Sequence, residues 1–207
     1  VKETIGAGKP VIVATHLLES MIEMPVPTRA EISDVAGAVA EQVDALMLSG
    51  ETTTGKHPLA CVRMLDRVAR RAEAELSPAL TEELKLLQPR AKMLRAACSL
   101  AMQMDGTAIV VFTRTGNLAN KLSSLRPNRV PIYVFTDNPR LPPKLQMRWG
   151  LDPFLMEFSE NPEITLSKAI QRLKAIGRVA VGDCLVAVTN ALAVDKVVET
   201  IQLYGVE

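Results

Sequence analysis

The sequence predicts a parallel α/β protein in two parts, and three observations carry that reading. Short runs that are apolar on both faces recur along the 207 residues, as buried parallel strands require. Each run is followed by a stretch with helical spacing, the strand–helix alternation of α/β folds. A break rich in proline and polar residues, "LSPALTEELKLLQPR" over 76–90, then interrupts the pattern before it starts afresh.

In the first part, "VKETIGAG" reads as the end of a helix and "KPVIVAT" (9–15) as a buried strand. In "PVPTRAE" (25–31), Pro25 and Pro27 exclude helix and force an extended loop. Ser33 and Asp34 are expected to cap "VAGAVAEQV", a small-residue helix. "DALMLS" (44–49) reads as a second buried strand, followed by the loop "GETTTGKH". Pro58 then sits in a helix's first turn, where its missing N–H does no harm. Leu65, Val68, Ala69, Ala72 and Leu76 share one face of that helix, with Arg63, Arg67, Arg70 and Glu73 largely elsewhere. Two strands cannot close a sheet, so residues 1–76 read as the last piece of a larger body. The second part, 77–207, reads as a complete open sheet with helices on both faces. Its strands are expected at 107–113, 130–137, "LDPFLMEF", 184–189 and "KVVETIQLYGV". The last run nearly alternates, which suggests an edge strand, antiparallel to its neighbour. The helices are expected at "AKMLRAACSLAMQM", "NLANKLSSL", "PRLPPKLQMRWG" and "EITLSKAIQRLKAIG".

Composition excludes several function classes. The net charge of +1 and 3% aromatic content give neither the electrostatic footprint nor the stacking side chains of a nucleic-acid binder. No run of 18 apolar residues would span a membrane. Cys61, Cys98 and Cys184 are far apart and odd in number, and only two histidines accompany them. They read as reduced thiols of a reducing compartment, and no zinc site is expected. The placement that follows is cytoplasmic, with a plastid as the alternative. The chain starts at Val1, inside a helical pattern, and reads as a fragment.

"GETTTGKH" resembles a P-loop, but it ends on His57 where that motif needs Ser or Thr for Mg²⁺. Pro58 also removes a donor from the turn that would face phosphate. A P-loop nucleotidase would need Lys56 for ATP binding. The other reading uses strand ends. Loops at the carboxyl ends of parallel strands hold the sites of α/β enzymes, and in barrels the last two often bind phosphate. Thr15, Ser49 and the Gly50 amide present donors there, while Glu51 and His16 can orient or relay.

Residues 8–65 also resemble the pyruvate kinase family. The family shows G-K-P-V-x-x-A-T-Q-M-L-E-S-M, P-T-R-A-E-x-S-D-V-A-N-A-V and M-L-S-G-E-T-x-x-G-x-Y-P. This chain reads "GKPVIVATHLLESM", "PTRAEISDVAGAV" and "MLSGETTTGKHP". In the second part, "AIVVFTRTG", "LSSLRPNRVPIYVFTDN" and "RWGLDPFL" echo the family's C-terminal elements. The resemblance implies a C-terminal remnant of a (β/α)₈ TIM barrel followed by an open α/β sheet domain. It implies phosphoryl transfer from phosphoenolpyruvate to ADP in glycolysis, with Mg²⁺ and K⁺ held by residues upstream of Val1, and a homotetramer. Thr15 matches a substrate-contacting threonine, and His16, Ser49, Gly50 and Glu51 match the rim of that site. Arg29 matches an arginine at a subunit contact.

Thr113, Arg114, Thr115 and Gly116 match the loop that holds a sugar-phosphate effector in regulated members. Hydroxyls, backbone N–H groups and a helix N-terminus would converge there as an anion nest. Departures from the family pattern sharpen the expectation. His16 replaces Gln and reads as a tolerated polar substitute. Asn117 and Leu118 replace basic and hydroxyl residues, and "TNALAVDK" has no glycine. A monophosphate effector, or none, fits better than a bisphosphate. No catalytic or metal-binding residue is expected within the chain, so it should not catalyse phosphoryl transfer alone. The alternative function is a phosphometabolite-binding regulatory module without catalysis.

Overall fold

The computed structural model describes residues 1–14, 16–75, 88–193 and 196–207. The chain forms two compact units, Val1–Leu80 and Thr81–Glu207. The boundary expected at 76/77 falls among residues outside the described ones, as does Leu76.

The first unit runs α1 (Lys2–Gly6), β1 (Ile12–Val13), a 3₁₀ turn (Glu19–Ile22), α2 (Arg29–Ala40), β2 (Ala45–Leu46), α3 (Gly50–Thr53) and α4 (Pro58–Glu73). β1 and β2 pair in parallel, Ile12 with Ala45 and Val13 with Leu46. Both strands are shorter than the apolar runs suggest. Ile12 is 50% exposed and Met47 44% exposed, contrary to the expectation of strands buried on both faces. The cause is a missing cover: among the described residues this sheet has only two strands. The core lies where the chain turns back on itself. Leu17, Leu18, Met21, Val35 and Cys61 are buried together, with Val13, Leu46, Leu65 and Val68 against them.

α2 begins earlier than expected. Thr28, not Ser33 or Asp34, is its N-cap, and Glu31 completes a capping box. The signal is legible as T-x-x-E over 28–31, directly after the prolines. α4 starts with Pro58 in its first turn, as expected. Leu65, Val68, Ala69 and Ala72 are half-buried along it, and Arg63, Arg67 and Arg70 are exposed.

The second unit contains α5 (Pro89–Met102), β3 (Thr107–Phe112), α6 (Asn117–Ser124), β4 (Ile132–Thr136), α7 (Pro142–Leu145), β5 (Leu151–Leu155), α8 (Pro162–Ala175), β6 (Cys184–Ala193) and β7 (Lys196–Gly205). The sheet order is β5-β4-β3-β6-β7. β5, β4, β3 and β6 are parallel, and β7 closes the edge antiparallel to β6. Pro153 lies in β5, an edge strand, where its missing N–H breaks no ladder between two strands.

Strand alternation builds two cores, one on each face. Ile109, Val111, Ile132, Val134, Val186 and Val188 pack with Leu94, Cys98 and Ala101 of α5 and Leu118 and Leu122 of α6. Ala108, Val110, Tyr133, Phe135, Leu185 and Ala187 pack with Leu166, Ala169 and Leu173 of α8. Burial pushes the Cys98 thiol up to about 12, so this cysteine acts as a small core hydrophobe. Among the described residues the cysteines are free thiols, and no helix is long and apolar enough to cross a membrane.

Candidate functional site

Two loop systems lie at carboxyl ends of parallel strands, one in each unit. In the first unit the loops after β1 and β2 are tied through Glu51. This residue is 3% exposed. Its Oε1 accepts from the Leu18 N–H at 3.2 Å and its Oε2 from the Ser49 N–H at 2.8 Å. Burial alone would raise its pKa. The N–H groups of Glu51 itself, Ser49 and Leu18, with the charge of His16, outweigh burial and hold the carboxyl below its usual range. A carboxylate fed by backbone donors stays ionised in this way.

The same contacts explain why "GETTTGKH" is not a phosphate cradle. Residues 50–53 form a helical turn instead of an open loop. The N–H groups of Thr52 and Thr53 donate to the Ser49 carbonyl, and those of Thr54 and Gly55 to the Gly50 carbonyl. The Lys56 N–H donates to the Ile22 carbonyl at 2.8 Å. These donors are therefore engaged within the protein, whereas a P-loop aims its donors at phosphate. Gly55 is required sterically, since a Cβ there would lie 2.6 Å from the Glu51 carbonyl oxygen. The exposed Lys56 ammonium pairs with Glu23.

Of the other residues singled out in this unit, Thr15 lies outside the described residues. His16 is exposed, its Nδ1 3.7 Å from Glu19 Oε1. Ser49 is the N-cap of α3 and Gly50 its first residue, and a Cβ on Gly50 would press on Ile22 Cδ1 at 3.2 Å. Arg29 occupies the first turn of α2 and is exposed. Its carbonyl accepts from the Ser33 hydroxyl at 3.1 Å.

Sequence reasoning missed Glu31. It accepts from the Ser20 N–H at 2.7 Å, the Ser20 hydroxyl at 2.6 Å, the Thr28 N–H at 2.7 Å and the Thr28 hydroxyl at 2.8 Å. Its pKa is lowered. Desolvation works against that, but the Ser20 and Thr28 hydrogen bonds prevail. The T-x-x-E spacing predicts its bonds to Thr28. Nothing local predicts Ser20, which comes from the loop after β1.

In the second unit, the loop after β3 brings Thr113, Arg114, Thr115 and Gly116 together. Gly116 is the N-cap of α6 with φ +80°, a backbone conformation glycine adopts without strain. The buried Thr113 hydroxyl accepts the Gly116 N–H at 2.9 Å. The Thr115 hydroxyl accepts the Asn117 N–H at 3.4 Å. Arg114 Nε donates to Asp137 Oδ2 at 2.8 Å, and the guanidinium lies 5.6 Å from the Phe158 ring centroid. The nest expected from the sequence is thus partly filled by its own contacts. The Gly116 N–H and Arg114 already hold protein partners.

Among the described residues no group of three or more His, Cys, Asp or Glu could hold a metal ion. Both oxygens of Glu51 serve backbone donors. The Mg²⁺ and K⁺ that the resemblance implies find no such group among the described residues.

Comparison with known proteins decides the family. The model described as "Pyruvate kinase, barrel domain" matches residues 1–62, and "Pyruvate kinase, alpha/beta domain" matches residues 91–200. The chain belongs to the pyruvate kinase family. Among similar proteins, pyruvate kinase isozyme G, chloroplastic, of Nicotiana tabacum is 45% identical over 170 residues, covering 80% of this chain and 30% of the relative. Pyruvate kinase isozyme A, chloroplastic, of the same plant is 38% identical over 194 residues, covering 89% and 32%. A pyruvate kinase of Mycobacterium tuberculosis is 39% identical over 189 residues, covering 89% and 39%. The chain therefore spans well under half the length of these pyruvate kinases. The α/β fold of both units agrees with the two matched domains of the family.

Proposed function

We propose that this chain supplies the last two strand–helix units of a pyruvate kinase barrel and the α/β domain that follows. The whole enzyme would transfer a phosphoryl group from phosphoenolpyruvate to ADP, giving pyruvate and ATP. One observation carries the reading: matches to the barrel and α/β domains of one family follow each other along the same chain. In this reading Thr15, His16, Ser49, Gly50 and Glu51 border the phosphoenolpyruvate site. Phosphoryl transfer depends on positioning and on neutralising the charge of the transferred group. Among the described residues no group of three or more His, Cys, Asp or Glu could hold a metal ion for that task. The Mg²⁺ and K⁺ would be held by residues outside this chain, and Arg29 would face another subunit of a homotetramer. Two of the relatives carry "chloroplastic" in their names, which supports a plastid as the alternative to the cytoplasm.

The test is pyruvate formation from phosphoenolpyruvate and ADP by the purified 207-residue chain. No turnover is expected from it alone, and activity is expected from an assembly that also carries the rest of the barrel. Turnover by the chain alone would refute this division of labour.

A second reading, a phosphometabolite-binding module, rests on the loop after β3. Its resources for a phosphate include the exposed Thr115 hydroxyl and the guanidinium N–H groups of Arg114 other than the Nε that Asp137 holds. Calorimetry with sugar monophosphates checks it. Heat that persists unchanged in Arg114→Ala and Thr115→Ala would exclude this loop as the binding site.

A further inference from the structure

We infer that Glu51 is a positioning residue, holding the loop after β1 against the loop after β2 through the Leu18 and Ser49 N–H groups; the catalytic half of this inference rests on the function proposed above. The geometry is specific. Leu18 lies in the loop after β1, which ends at Val13, and Ser49 in the loop after β2, which ends at Leu46; the two are 31 positions apart in the chain. One carboxylate joins them, at 3.2 Å and 2.8 Å, from a side chain only 3% exposed. No side chain stands between Glu51 and either backbone, so a shift of the carboxylate shifts both loops.

Two other contacts support this junction. The Lys56 N–H to Ile22 carbonyl bond and the Lys56–Glu23 pair join the same two loops farther along. The Ser20 N–H, two residues past Leu18, is held from the α2 side by Glu31 at 2.7 Å. The segment after β1 is thus gripped by two carboxylates, Glu31 from α2 and Glu51 from α3. Of these two carboxylates, Glu51 is the one that also holds the loop after β2, through the Ser49 N–H. Each oxygen of Glu51 takes a backbone donor and the side chain is almost wholly buried, an arrangement suited to positioning. Its effect on chemistry passes through the alignment of the strand ends, where a misplacement of about 1 Å can cost about 100-fold in rate.

The test has two arms. In the 207-residue chain, amide hydrogen exchange is followed at Leu18 and Ser49. Glu51→Gln keeps the size of the side chain but replaces one acceptor oxygen with an NH₂ donor. At least one of the two amides should then exchange about tenfold faster or more. In the active assembly that contains this chain, kcat per folded molecule should fall about 10- to 100-fold in Glu51→Gln. KM for ADP should stay within about twofold. Glu51→Asp, with both acceptors on a shorter stem, should recover part of kcat. The folded fraction, measured by circular dichroism under assay conditions, removes any general loss of stability. Amides that keep their protection in Glu51→Gln would overturn the inference. So would faster exchange with kcat unchanged within about twofold. If the wild-type assembly forms no pyruvate at all, the function reading fails and takes the catalytic half of the inference with it. Wild-type activity tells these failures apart.

Discussion

Two glutamates in the first unit show how a carboxylate can act as a local organiser. Glu31 and Glu51 both accept backbone N–H bonds, and both are held below the ordinary carboxylate range. The linkage sign follows from that direction. A group with a depressed folded pKa contributes its stability above the unfolded pKa, and loses it as pH falls through the folded pKa. Glu31→Gln removes the titration and weakens the acceptor at Ser20 and Thr28. Hydrogen bonds to a charged group are worth about 1.5–3 kcal/mol. The variant should be less stable than the wild type at pH 7 by about that amount, and the gap should narrow as pH drops below the ordinary carboxylate value. Urea midpoints from pH 7 down to acid measure it. A gap that stays constant into acid would show that the Glu31 charge has no part in holding Ser20 and Thr28.

Among the elements, α2 shows both what sequence reveals and what it hides. Its interior is plain from composition, but its start is not where Ser33 and Asp34 suggested. The strongest N-cap signal is the T-x-x-E box over 28–31, and the two prolines directly before it favour a longer loop. The strand cores of the second unit, the edge position of β7 and its antiparallel direction were legible, because continuous apolar runs and near-alternation are local patterns. The pairing of Arg114 with Asp137 and the grip of Glu51 on Leu18 were not, because they join segments more than 20 residues apart. The end of α2 supports a further prediction. Gln42 has φ +58°, 1% exposure and an Oε1 with no hydrogen-bond partner. A left-handed residue just past a helix end is where glycine is favoured, and an unsatisfied buried polar atom costs about 1–3 kcal/mol. Gln42→Gly relieves both but loses the burial of the side-chain stem, about 0.8 kcal/mol per CH₂. The balance favours glycine, so the denaturant midpoint should rise by the equivalent of about 1 kcal/mol. A lower midpoint would mean that the stem's packing outweighs strain and the orphan oxygen.

The whole molecule joins two units of unequal completeness, and that sets how it should unfold. The second unit carries a five-stranded sheet with a buried cluster on each face. The first carries a two-stranded sheet whose strands leave Ile12 and Met47 half-exposed. A two-stranded pair is marginal without further cover, so most of the first unit's stability must come from the α2–α4 core around Val35 and Cys61. Buried apolar area drives folding, and the second unit has far more of it. Urea unfolding of the 207-residue chain should therefore show two transitions, the first unit melting at the lower midpoint. Circular dichroism tracks both. Exchange at Val35 and Cys61 reports the first, and exchange at Ile109 and Val186 the second. A polypeptide of residues 88–207 alone should reproduce the upper transition with its midpoint nearly unchanged. A single transition for the whole chain, together with a polypeptide 88–207 that fails to fold, would show that the second unit draws its stability from the first despite its two complete cores.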